Sequence, residues 1–74
     1  MNRFRDARQR KHLTQVEAIT QYNQRYGRRY SAPALSRIEN GKRTPETAAL
    51  IDFSNFYCVS VDYLLGLTDN PQRA

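Results

Sequence analysis

The sequence has one cysteine, one histidine and no tryptophan among its 74 residues. A single Cys58 cannot close an internal disulfide, and with His12 alone it cannot complete a four-ligand zinc site. No run approaches the roughly 20 apolar residues that span a bilayer, and the charged start from Met1 to Arg8 lacks the apolar stretch of a secretory signal. A soluble, cytoplasmic chain is expected, with no membrane partner. Three scattered glycines are too few for a phosphate-cradling loop. A chain this short buries only about 60% of its unfolded surface, which leaves no volume for an enclosed active site. Nothing orients His12 and Cys58 as base and nucleophile. His12 is expected at a helix C-terminus near orphan carbonyls, and Cys58 in an apolar setting with an inert thiol. The sequence therefore predicts no enzyme, no cofactor and no metal.

Acid is scarce where base is plentiful. Residues 1–43 hold 11 basic and 3 acidic side chains, whereas residues 44–74 hold 1 and 4, within an overall charge of +5. Such a positive pole raises the encounter rate with a polyanion.

The apolar pattern is helical throughout, with no convincing strand. Residues 3–11 place Phe4, Ala7 and Lys11 on one stripe, with Arg8 at its edge. Thr14 and Glu17 form a capping-box pair before a second helix over 15–26, in which Val16, Ile19, Tyr22 and Tyr26 share a face and Gly27 ends the run. Ser31 caps a third helix over 32–39, with Tyr30 placed to staple against Leu35. Asn40-Gly41 closes that helix. Thr44-Pro45 predicts the start of a fourth, central helix carrying Leu50, Phe53, Ser54 and Tyr57, flanked by Ile51 and Phe56. Ser60 caps a fifth helix that Gly66 closes, with Val59 placed against Leu64. The expected fold is all-α with five helices, in one domain over 1–67 followed by a tail or the start of a linker over 68–74.

On the third helix, Ala34, Leu35 and Ile38 cover one arc and Ala32, Pro33, Ser36, Arg37 and Asn40 the other. A short cationic helix beside a second helix suits the major groove of B-DNA, which displays a distinct donor and acceptor pattern for each base pair. An ordinary solvated helix face fits that pattern as well. The run Leu13-Thr14-Gln15 with Arg8, the string from Leu35 to Pro45 (LSRIENGKRTP) and Val59 to Gly66 (VSVDYLLG) together resemble the lambda-repressor and Cro type of helix-turn-helix domain, over about residues 4–67.

That resemblance implies a five-helix domain that binds double-stranded DNA and regulates transcription, as a repressor of phage or bacterial type. The second helix would cross the DNA backbone, with Gln15 on a phosphate or an outer base. The third would read base edges through Ala32, Pro33, Ser36 and Arg37, and Asn40, Lys42 and Arg43 would hold phosphates. Thr14 and Ser31 complete the DNA-facing set at the two helix starts. Arg8 and Glu39 match an internal ion pair. Physical chemistry supports Gln15 near a phosphate at a helix N-terminus, and Arg37 in a fork on guanine or as a sequence-blind clamp.

The chain departs from the pattern in three places. About six extra residues lie between the second and third helices, which calls for a longer second helix and connection and places Arg28 and Arg29 as added phosphate or minor-groove contacts. Ala32 and Pro33 stand where polar base readers are usual, leaving thymine methyls as their partners. Cys58 replaces a helix-ending glycine, which strains the backbone by about 1 kcal/mol if the left-handed conformation is kept.

A homodimer on a two-fold axis would place recognition helices about 34 Å apart on an inverted repeat. Val61, Tyr63 and Leu67 are the candidates for its interface, and the tail after Gly66 could lead into a further oligomerisation or sensor domain. Two other readings stay open. Tyr22, Tyr26 and Tyr30 beside Arg25, Arg28 and Arg29 could form a stacking platform for single-stranded nucleic acid, or could plug the core. The fourth and fifth helices could dock a partner protein, as in an antitoxin or adaptor module.

Overall fold

Local capping chemistry sets most of the helix boundaries. A computed structural model describes residues 2–72 as five helices, α1 (Phe4–Arg10), α2 (Gln15–Tyr26), α3 (Ala32–Glu39), α4 (Thr47–Tyr57) and α5 (Val61–Leu64), with no strand among the described residues. Thr14 Oγ1 accepts from the Glu17 amide at 3.1 Å, and Glu17 Oε1 accepts in return from the Thr14 amide at 2.9 Å. The Thr14 backbone amide first, and the Thr14 side chain second, hold the Glu17 carboxyl below its ordinary range. Gly27 ends α2 at φ +65°. Ser31 Oγ caps Ala34 and Ser60 Oγ caps Tyr63.

The core forms where these helices converge. Tyr22 and Phe53 are fully buried and stack at 3.9 Å, Phe4 meets Phe53 edge-on at 5.4 Å, and Leu35, Ile38, Val59 and Leu64 close the rest. The Tyr22 hydroxyl donates to the Ala49 carbonyl at 2.9 Å, so the polar end of the ring is satisfied inside.

Several expectations need correction. The fourth helix starts at Thr47 with Glu46 as N-cap and no side-chain capping bond, not at Thr44-Pro45. Pro45 is buried in a non-helical crossing over 43–46 that ends with extended backbone at Glu46. Val16 is 62% exposed and Lys11 is exposed, because Ala18 takes the buried place beside Ile19 and Tyr22, and α1 ends at Arg10. Cys58 lies in the left-handed region at φ +57°, but its side chain is exposed, 3.7 Å from the Asn55 carbonyl and from Lys11 Nζ. His12 also adopts a left-handed backbone at φ +58°, and its amide donates to the Gln9 carbonyl at 3.0 Å. Beyond α5 the chain turns back: Pro71 accepts from the Ser60 amide and Asp69 pairs with Arg3, so residues 68–72 pack on the domain. Residues 73 and 74 of the expected tail lie outside the described residues.

Candidate nucleic-acid interface

Helix α3 splits cleanly into two faces. Ala34, Leu35, Ile38 and Glu39 are buried, while Pro33, Arg37 and Asn40 are exposed and Ala32 and Ser36 half-buried. The hydrophobic arc docks against α2 and α1, which turns the opposite arc outward.

A buried carboxylate fixes the angle between the helices. The Glu39 side chain has no exposed surface, and Arg8, 12% exposed, grips it in a fork with Nε to Oε2 at 2.7 Å and NH2 to Oε1 at 3.1 Å. The third Arg8 nitrogen donates to the Leu13 carbonyl at 2.9 Å. This bonding to Glu39 raises the Arg8 pKa further, so the guanidinium stays charged. Gln15 Nε2 adds a bond to Glu39 Oε1 at 3.0 Å, and Arg5 Nε lies 3.5 Å from the same oxygen. One Gln15 N–H is thus occupied inside the protein, leaving its second N–H and its carbonyl for an outside partner.

The end of α3 is braced from α1. Arg5 donates to Asn40 Oδ1 at 2.8 Å, Asn40 reaches Ser36 Oγ at 3.4 Å, and Asn2 donates to the Ile38 carbonyl at 2.7 Å. Asn2 and Arg5 were not distinguishable in the sequence from other polar residues of a solvated helix start, since their partners lie more than 30 positions away.

The longer connection is met by a 12-residue α2 and the segment 27–31. Asn23 pins that segment from both sides, donating to the Tyr30 carbonyl at 2.7 Å and accepting from the Tyr30 amide at 3.1 Å. Arg28 does not stand free as an outward cation. Its Nε and NH2 bind Asp52 at 3.1 and 3.0 Å and its NH1 binds Glu46 at 3.1 Å, because the turn after Gly27 aims the side chain at α4. Arg29 is exposed and carries no ion pair among the described residues.

The tyrosines do not form an open platform. Tyr22 is enclosed, and Tyr26 and Tyr30 pack against it at ring distances of 5.2 and 6.0 Å, so core packing uses the faces that bases would stack on. Tyr63 is also corrected: it is 5% exposed in the core, with the Arg3 guanidinium over its ring at 5.6 Å, and is no free interface residue. Val61 is half-buried and Leu67 is 73% exposed.

The ion pairs sort the cations. Arg3, Arg5, Arg8 and Arg28 have acidic partners, whereas Arg10, Lys11, Arg25, Arg29, Arg37, Lys42 and Arg43 have none among the described residues. Four of these unpaired cations, Arg29, Arg37, Lys42 and Arg43, flank α3, with Lys42 held next to Arg37 by a backbone bond of 2.8 Å and Arg43 over the Tyr30 ring at 5.1 Å. No helix among the described residues is long and apolar enough to cross a membrane, and none of their His, Cys, Asp and Glu side chains group as a metal site.

Residues 2–65 match the family model described as a helix-turn-helix domain. The chain is also similar to the HTH-type transcriptional regulator ImmR of Bacillus subtilis (strain 168), at 41% identity over 64 residues that cover 86% of this chain and 46% of that regulator. It thus spans less than half the length of that relative. No solved structure matches it. A five-helix fold, a two-faced α3 and a family match over nearly the whole chain lead to one conclusion: the chain belongs to the helix-turn-helix family, of the lambda-repressor and Cro type.

Proposed function

We propose that the chain is the DNA-binding part of a transcriptional regulator, a repressor that inserts α3 into the major groove of duplex DNA. The observation that carries this reading is the placement of charge: acids neutralise the arginines that hold the fold, and four of the seven described cations without acidic partners, Arg29, Arg37, Lys42 and Arg43, flank α3. Ser36 and Arg37 face the base edges, with Arg37 suited to a fork on guanine. Ala32 and Pro33 present apolar surface to thymine methyls. Gln15, Asn40, Lys42 and Arg43 meet phosphates, and Thr14 and Ser31, already engaged as caps, aim helix N-termini at the backbone.

The protein binds an inverted repeat as a homodimer. Val61 and Leu67 contribute to the dimer face, and the exposed Ile51 and Leu65 supply further apolar surface on α4 and after α5. Competition between duplex and single-stranded DNA of the same sequence tests the reading. Duplex is expected to displace single strand at about 150 mM salt, where purely electrostatic association is weak. Equal competition would contradict it.

A further inference from the structure

The segment 27–31 and the crossing 43–46 face each other across an open cleft of about 380 Å³. Arg29 and Arg43 line it, neither with an acidic partner among the described residues. Glu46 is the one acid among its described lining residues, and Arg28 NH1 bridges it at 3.1 Å. Asp52 on α4 takes the other two nitrogens of Arg28. Three guanidinium groups therefore stand against two carboxylates, and removing Arg28 alone would erase the positive excess.

The walls are held in place before any ligand arrives. Asn23 fixes Tyr30 through two bonds, and the Tyr30 ring supports Arg43. Ser31, also lining the cleft, starts α3, whose positive end adds to the field. A cleft open to solvent admits a continuous chain, which a closed pocket would not. Donors on two sides, Arg43 over the Tyr30 ring and the exposed Arg29, suit a doubly bridged oxyanion.

We propose that this cleft binds a backbone phosphate of duplex DNA outside the stretch reached by α3, with Arg29 and Arg43 as the contacts. Arg28 is a positioning residue that masks Glu46 and Asp52 from the phosphate and does not touch it. The inference rests on the duplex-binding reading and extends its footprint by the inserted segment.

The test is the slope of log affinity against log salt, measured on a random-sequence duplex between about 50 and about 200 mM salt for the full chain and its variants. Each lost phosphate contact lowers the slope by about 0.9. Arg29→Ala with Arg43→Ala, which strips both contacts from that one phosphate, is expected to lower it by about 0.9, and Arg29→Ala, which removes no intramolecular ion pair, by a measurable part of that. Arg28→Ala is expected to weaken binding several-fold, and the triple variant Arg28→Ala, Glu46→Gln, Asp52→Asn to regain it, which a direct Arg28 contact would not allow. An unchanged slope in Arg29→Ala overturns the proposal while leaving duplex binding intact, even if inorganic phosphate shifts the arginine side-chain resonances in an NMR titration. Failure of the unaltered chain to bind any duplex overturns the underlying reading as well.

Discussion

Gln15 and Glu39 meet at 3.0 Å, so the first residue of α2 and the last of α3 share one buried carboxylate. Arg8 neutralises that carboxylate in a fork, and the contact fixes how α3 is presented. Glu39→Ala strands a largely buried guanidinium and is expected to lower unfolding free energy by about 3 kcal/mol, whereas Glu39→Gln, which keeps an acceptor oxygen, loses less. Urea denaturation reads the difference. A loss under about 1 kcal/mol for the alanine variant would mean that the pair behaves like a solvated one.

Tyr57 presents the opposite situation. The residue is 2% exposed, yet its hydroxyl has no hydrogen-bond partner among the described residues. Deleting a polar atom that makes no bond removes a desolvation cost and no interaction, so Tyr57→Phe is expected to leave stability unchanged or raise it by about 1 kcal/mol. A clear fall in the denaturation midpoint would reveal a partner for the hydroxyl.

Two helices end on non-glycine residues with left-handed backbone, His12 after α1 and Cys58 after α4. Glycine adopts that conformation without a Cβ clash, so Cys58→Gly is expected to stabilise by about 1 kcal/mol. Loss of stability in thermal unfolding would show instead that the Cys58 contacts with Asn55 and Lys11 outweigh the strain.

High pH should unfold the domain through its buried phenols. Burial pushes the Tyr22 and Tyr57 hydroxyls above their ordinary value of 10.0. An acid whose folded pKa is raised contributes stability that is complete below its unfolded pKa and is lost as pH rises through the folded one. The urea midpoint is expected to hold to about pH 9 and fall beyond about pH 10. A midpoint flat to about pH 11 would contradict the burial of these hydroxyls.

Which features could be read in the sequence follows from their range. The caps at Thr14, Ser31 and Ser60 act over three residues, and the helices they start match the expected ones. The splitting of α3 into two faces follows from 3.6-residue periodicity. The inward pairing of Arg28 leaves no trace in the sequence, because its partners, Glu46 and Asp52, lie 18 and 24 residues away and no local pattern marks them. The burial of Tyr63 is not legible in the sequence, because α5 is only four residues long, too short for a stripe to show which side is buried. Thr44-Pro45 carries the composition of a helix start, but Pro45 is buried in the crossing over 43–46 and the helix begins two residues later, after Glu46. The bracing of Asn40 by Arg5, which helps set how α3 is held, depends on tertiary contact and leaves no periodic trace.

The central claim is that the outward face of α3 reads sequence in duplex DNA. Selection of bound duplexes from a random library at about 150 mM salt, run in parallel with the unaltered chain and Arg37→Ala, tests it most directly. The account predicts an inverted repeat with half-sites about 34 Å apart, and relaxed preference at one position of each half-site in the variant. Recovery of no common sequence by a folded protein, or of the same repeat at full stringency by Arg37→Ala, would contradict it.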